Sequence, residues 1–165
     1  MYRVLNQQTD NRGITKLIKN RIYLDNCCLN RPYDEQANFN IHLEAEAKIF
    51  IQTEIIKNTY ELAWSFMMDY EISSNPFYDR QIAFVKWKNI AVVDIEPMEE
   101  ILINGKNLIR KNIKRKDALH IACAIKAECE YFLTTDYKIL NKDIPEIKLI
   151  NPIDFVQLLH SGEET

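Results

Sequence analysis

The stretch Lys114-Arg115-Lys116-Asp117-Ala118-Leu119-His120-Ile121-Ala122-Cys123-Ala124-Ile125, running on to Tyr131-Phe132-Leu133-Thr134-Thr135-Asp136, decides the fold. Its first half is dense in Ala, Leu and Ile and reads as a buried helix opened by Asp117. Its second half is a short β-branched and aromatic run that reads as a strand closed by Asp136. In a βαβ unit of a parallel sheet, helix N-termini and strand C-termini lie at the same edge. Two carboxylates about twenty residues apart in sequence are thereby expected to meet in space. A fold does not need two acids there, whereas a metal site does.

Working outward, the same alternation recurs. Arg21-Ile22-Tyr23-Leu24 reads as a first strand ending at Asp25, and Asn26 to Pro32 breaks its pattern. Asn40 is placed to cap a helix from Ile41 to about Asn58, with Leu43, Ala47, Phe50, Ile51 and Ile55 on its apolar face and Glu44, Glu46 and Lys48 around the others. Thr59 to Trp64 reads as a second strand ending at Ser65, with a helix after it that carries Asp69 and Glu71. Asn75-Pro76 pairs a capping residue with a first-turn proline and is expected to open a helix to about Lys88. Ile90 to Ile95 reads as a strand buried on both faces. A helix from Pro97 follows, with Ile101, Leu102, Leu108 and Ile109 as its core face and Asn112 as its stop. After the opening stretch come a strand at Ile147 to Ile150 and a helix from Asn151-Pro152 to near His160. Strands alternating with helices imply an α/β fold: a parallel sheet of about five strands covered on both faces.

The 165 residues fit one domain, expected over 21–160, with a polar arm at 1–20 and a tail at 161–165. Gln7 to Gly13 reads as unstructured by composition, and Arg12, Lys16, Lys19 and Arg21 make the end of the arm basic. A hydrophobic share of 47% argues against disorder. No apolar run suits a signal core or a membrane span, so a cytoplasmic protein is expected. The four cysteines form no C-x-x-C pair, which argues against zinc and for small buried residues in a reducing compartment. The net charge of -3 gives no global sign of a nucleic-acid binder, although Lys111, Lys114, Arg115 and Lys116 cluster just before Asp117.

Four acids map to the carboxyl edge of this sheet: Asp25 ends the first strand, Asp136 the fourth, Glu71 follows the second, and Asp117 opens the helix before the fourth. Two carboxylates about 4 Å apart repel by roughly 4 kcal/mol at an effective dielectric near 20. A cleft holding four raises their pKa values unless a cation joins them. Carboxylate ligation suits Mg²⁺ or Mn²⁺, and such ions can orient a water for in-line attack on phosphorus. The helix N-terminus at Asp117 favours carboxylate and phosphate alike. Each acid alone also has a plain structural role, as a helix-start, turn or surface residue; it is their joint placement that points to a site.

Four segments carry a family resemblance: Ile22-Tyr23-Leu24-Asp25, then Leu62-Ala63-Trp64-Ser65 followed by Glu71, then Lys116-Asp117-Ala118-Leu119-His120-Ile121-Ala122, then Phe132-Leu133-Thr134-Thr135-Asp136. In this order the chain resembles the PIN (PilT N-terminus) domain family, the fold of VapC-type toxin ribonucleases. The resemblance implies a three-layer α/β/α fold and a Mg²⁺- or Mn²⁺-dependent nuclease acting on RNA, with Asp25, Glu71, Asp117 and Asp136 as its acids and Thr135 as the hydroxyl beside the last. It also raises an antitoxin protein and a second copy of the chain as partners. The chain departs from the pattern at Asn26-Cys27-Cys28, where Thr or Ser usually follows the first acid, and Glu44 or Glu46 could stand in for Glu71.

Around the acids, Asn26, Thr135 and His120 are candidate supporting groups. Arg31, Lys114, Arg115 and Lys116 are candidate contacts to RNA phosphates. Asn141 is a further candidate for holding water or phosphate, and Tyr33, Tyr137 and Trp64 are candidates for base stacking, although aromatics in such patterns are more often core. A catalytically inactive PIN-like module that binds RNA or protein is the alternative. Phosphoryl chemistry on an aspartate fits less well, since Asp25 is followed by Asn26-Cys27 and not by a second acid two residues on.

Overall fold

In the computed structural model, which describes residues 7–9, 15–17 and 20–161, strands and helices alternate as the sequence pattern predicts. The remainder of the arm and residues 162–165 of the tail lie outside the described residues. Within the arm, β1 (Gln7–Thr9) pairs antiparallel with β2 (Thr15–Leu17). A strand thus lies inside the segment expected to be unstructured; backbone pairing supplies order that polar composition does not reveal.

The main sheet starts at β3 (Arg21–Leu24), followed by α1 (Asn26–Asn30), a short 3-10 turn (Arg31–Tyr33) and α2 (Phe39–Ile56). Next come β4 (Glu61–Ser65), α3 (Phe66–Ser73), α4 (Tyr78–Ile90) and β5 (Val93–Ile95). The chain then returns through α5 (Glu99–Arg110) and α6 (Arg115–Lys126) to β6 (Tyr131–Leu133), and finishes with α7 (Tyr137–Leu140), β7 (Lys148–Ile150) and α8 (Pro152–Ser161). The five strands are parallel in the order β5-β4-β3-β6-β7. All four residues of central β3 are buried, and alternate residues of a strand face opposite ways, so helices cover both sheet faces. The architecture is a three-layer α/β/α fold, in which α2 packs on α8 and α5 packs on α6. No helix among the described residues is long and apolar enough to cross a membrane.

The strand order fixes where a ligand goes. From β3 the chain leaves toward β4 and β5, whereas from the adjacent β6 it leaves toward β7. The carboxyl ends of β3 and β6 therefore border the switch point of the sheet, the crevice where open α/β folds bind ligands.

Several local expectations shift by a turn for identifiable reasons. Asn38, not Asn40, caps α2, its Oδ1 accepting from the backbone N–H groups of Asn40 and Ile41. Glu44 and Lys48 lie on the buried side of α2 because Glu44 meets Arg31 and Asn151 there; burial lowers the Lys48 ammonium to about 8. Asn75 accepts from the N–H of Phe77, so α4 opens only at Tyr78. Strand β5 is an edge strand with Asp94 exposed, and Ile90 belongs to α4. On α5 the buried face is Ile101, Gly105 and Leu108, while Leu102 and Ile109 are exposed. A Cβ at Gly105 would lie 3.0 Å from Leu119 Cδ2, so the glycine sits where α5 and α6 approach most closely. Asn112 has φ 62°, the left-handed conformation expected where α5 ends. Arg21 is a strand residue, not a free charge of the arm: its guanidinium donates to Glu61 and to the Ala127 carbonyl.

Candidate metal centre at the strand ends

Asp25 directly follows β3, and its N–H donates to the Leu133 carbonyl at 2.9 Å, extending the β3–β6 ladder by one residue. Its carboxylate caps α1, with Oδ1 accepting from Asn26 N at 2.8 Å. Oδ2 accepts from Thr134 Oγ1 at 2.9 Å and from Cys27 Sγ at 3.2 Å. Cys27 Sγ in turn accepts from Thr135 N at 3.3 Å, and Thr134 Oγ1 accepts from Asp136 N at 3.1 Å. The loop after β6 is thus bound to Asp25 through several side chains. The hydroxyl that reaches Asp25 is that of Thr134, whereas Thr135 contributes its backbone N–H. Asp136 lies three residues beyond the end of β6 and caps α7, accepting from Lys138 N at 2.8 Å.

Glu71, in the second half of α3, reaches the same edge. Its Oε2 lies 3.2 Å from His120 Nε2 and its Oε1 lies 3.9 Å from Lys116 Nζ. His120 is only 1% exposed, and its Nδ1 lies 2.7 Å from the Tyr23 hydroxyl, itself 2.6 Å from Ser65 Oγ. With a neutral ring, Ser65 donates to Tyr23, Tyr23 to Nδ1, and Nε2–H to Glu71; a protonated ring keeps the bond to Glu71 and reverses the other two, Nδ1–H donating to Tyr23 and Tyr23 to Ser65. Burial pushes the Glu71 carboxyl up, but the hydrogen bond and charge of His120, Lys116 and the Asn26 side chain together hold it below its ordinary value.

Asp25, Glu71 and His120 each offer one ligand atom, and these atoms all lie within 4.8 Å of one another. Asp117 and Asp136 form a second group beside them, lining a cavity of about 330 Å³ with Asn112, Ile113, Lys114 and Asn141. The groups are electrostatically joined: burial first, then the charges of Asp25 and Asp136, raise the Asp117 carboxyl above its ordinary value. His120 and Lys114 offset part of that rise. The carboxylate donors suit Mg²⁺ or Mn²⁺ with water completing the shell, while both ring nitrogens of His120 are engaged by Tyr23 and Glu71. Asp117→Asn should therefore leave the metal-free protein as stable as the wild type or more so, by on the order of a few degrees in Tm. Because the folded pKa is raised, the wild-type deficit is absent below the ordinary 3.8 and grows as pH rises through the folded value. Paired melting curves at low and neutral pH check this.

The other candidates separate clearly. Glu44 is buried away from the acids in a pair with Arg31 at 2.6 Å, and Glu46 is exposed, so it is Glu71 that shares the edge with Asp25. Arg31 also binds Asp34 at 2.9 Å, so two carboxylates hold its guanidinium. Lys114, Arg115 and Lys116 are exposed at the start of α6. Trp64 is core, its Nε1 donating to Asp69, while Tyr33 and Tyr137 are exposed. Sequence reasoning passed over Tyr23, Ser65 and Thr134, because a tyrosine inside a strand and hydroxyls at strand ends carry no spacing signal of their own.

No protein-family model matches this sequence, and no curated protein matches it. Among solved structures, a chain from the crystal structure of VapBC2 from Rickettsia felis bound to a DNA fragment from their promoter is similar, with a TM-score of 0.50 and 16% identity. The match covers 79% of this chain and 98% of that chain. At that identity the likeness speaks for the fold.

Proposed function

We propose that this protein is a Mg²⁺- or Mn²⁺-dependent endoribonuclease of the PIN type, cytoplasmic, acting as the toxin of a toxin–antitoxin pair. The observation that carries the reading is the convergence of Asp25 and Glu71, with Asp117 and Asp136 alongside, at the switch point of the sheet. Asp25, Glu71, Asp117 and Asp136 are the metal-holding set in this reading, and His120 orients Glu71. A bound divalent ion lowers the pKa of its water and neutralises charge at the phosphoryl oxygens. Asp25 is held rigid by Thr134, Cys27 and Asn26, so the ligand atoms need little reorganisation. Lys114, Arg115 and Lys116 line the approach of the phosphate chain. An antitoxin protein and a second copy of the chain are the partners of this reading, and the structural neighbour is itself part of a VapBC2 assembly on promoter DNA.

The test is cleavage of a single-stranded oligoribonucleotide with Mg²⁺ or Mn²⁺, and with EDTA. Attack by water with the 3′-oxygen leaving gives 5′-phosphate and 3′-hydroxyl ends, and EDTA abolishes the reaction. A 2′,3′-cyclic phosphate product, or cleavage indifferent to EDTA, contradicts the mechanism. Absence of both cleavage and calorimetric metal binding favours the alternative, a non-catalytic RNA- or protein-binding module, which the net charge of -3 also suits.

A further inference from the structure

Glu71 opens onto a groove of about 320 Å³ that it lines with Asn26, Asn30, Asn75, Phe77, Arg80 and Lys116. It joins α1, the end of α3, the start of α4 and the start of α6, elements that sequence spacing alone does not bring together. Its two cations are held differently: Lys116 faces Glu71 at 3.9 Å, whereas Arg80 rests on aromatic rings. The Arg80 guanidinium carbon lies 4.6 Å from the centroid of the Tyr33 ring and 4.1 Å from that of Phe77, and among the described residues no carboxylate pairs with it. Lys116 Nζ lies 5.5 Å from the Tyr70 centroid. Aromatic faces orient a guanidinium through its plane without neutralising it, and leave its N–H edge free to donate. By contrast, Arg21, Arg31 and Lys88 are each matched by an acid. Phe77, Tyr33 and Tyr70 remain about half exposed, which is costly for rings that serve packing alone. Asn75 Nδ2 approaches Asn30 Oδ1 at 3.4 Å, Asn30 Nδ2 donates to Asn26 and Asn75 Oδ1 accepts from Phe77 N–H, which leaves one N–H of Asn75 and the second lone pairs of the two amide oxygens for a ligand.

We infer that this groove holds the nucleotide next to the scissile phosphate of a single-stranded RNA, with Arg80 as the clamp on its phosphate and the Asn30 and Asn75 amides against its base; the inference rests on the nuclease reading. A charged clamp next to a carboxylate cluster counters the repulsion that the acids exert on an incoming polyanion, which a chain of net charge -3 otherwise does not overcome. Recognition through a planar guanidinium also distinguishes this position from the lysines at the start of α6, which act as point charges.

The experiment measures binding of a fluorescein-labelled 12-mer oligouridylate by anisotropy, in EDTA, across a salt series. The proteins are wild type, Arg80→Gln, Arg80→Lys and Phe77→Leu, with cleavage in Mn²⁺ measured in parallel. Arg80→Gln should weaken binding about tenfold and reduce the log–log salt slope by about 0.7, the value for one phosphate contact on a single strand. Arg80→Lys should restore the slope but only part of the affinity, and Phe77→Leu should weaken binding with the slope unchanged. Unchanged affinity and slope in Arg80→Gln, with wild type cleaving normally, overturns the groove while leaving the nuclease intact. Wild type that neither binds nor cleaves RNA overturns the groove through the failure of the nuclease reading itself.

Discussion

Replacing Asp25 with asparagine should lower metal-dependent RNA cleavage by on the order of 10³-fold and abolish the thermal stabilisation by Mn²⁺, while the metal-free protein keeps its fold. The amide retains an oxygen to accept from Asn26 N, so the α1 cap persists. Its nitrogen replaces the oxygen facing Thr134 Oγ1 and Cys27 Sγ, and a hydroxyl rotates to accept as readily as it donates. What is lost is the charge at the centre of the cluster, the one ligand residue coupled to both Glu71–His120 and Asp117. Wild type at metal concentrations near 100 times Kd gains about 2.7 kcal/mol, a rise of roughly 5–10 °C in Tm for a chain of this size. Melting curves with and without Mn²⁺, beside rates from the same preparations, check both halves. An Asp25→Asn protein that cleaves at the wild-type rate removes the site.

Buried Glu44 and half-buried Glu71 should behave in opposite ways. Glu44→Gln leaves the Arg31 guanidinium, 22% exposed, without its strongest partner and disturbs the Asn151 contact at the start of α8. Breaking such a pair costs about 3 kcal/mol, at the low end for buried pairs because Arg31 keeps some water and Asp34. Its turnover per folded molecule should be unchanged. Glu71→Gln should lose activity by roughly 10²-fold with a much smaller change in stability. The folded Glu71 pKa lies below the ordinary 4.5, so its pairing with His120 stabilises the fold above that pH and is lost as pH falls through the lowered value. Urea midpoints and initial rates for the two variants give a crossed pattern; the reverse pattern would move the metal site to α2.

The architecture was legible because the pattern of short apolar strands and longer amphipathic helices is set by periodicity, and Asp25, Asp117 and Asp136 adjoin elements that periodicity locates well. Glu71 was harder to place, since a glutamate on a helix has the same local signature at the surface as in a cleft; only packing of α3 against α6 sets it beside His120. Glu44 misled for the same reason, its burial depending on Arg31 thirteen residues earlier and Asn151 from the far end of the chain. The β5 region looked doubly buried because its residues are apolar, but its place at the sheet edge is a property of strand order, which no local pattern encodes. Arg80 escaped notice altogether: a lone arginine in the first turn of a helix acquires meaning only when Tyr33, from a distant segment, joins Phe77 at the cap of the same helix to close around it.

The most direct test of the central claim is the anomalous difference map of a crystal of this protein soaked in Mn²⁺. A peak is expected within coordination reach of Asp25 and Glu71 at the carboxyl ends of β3 and β6, absent from Asp25→Asn crystals soaked in the same way. A map with no peak at that edge, or with Mn²⁺ bound only elsewhere, would contradict it.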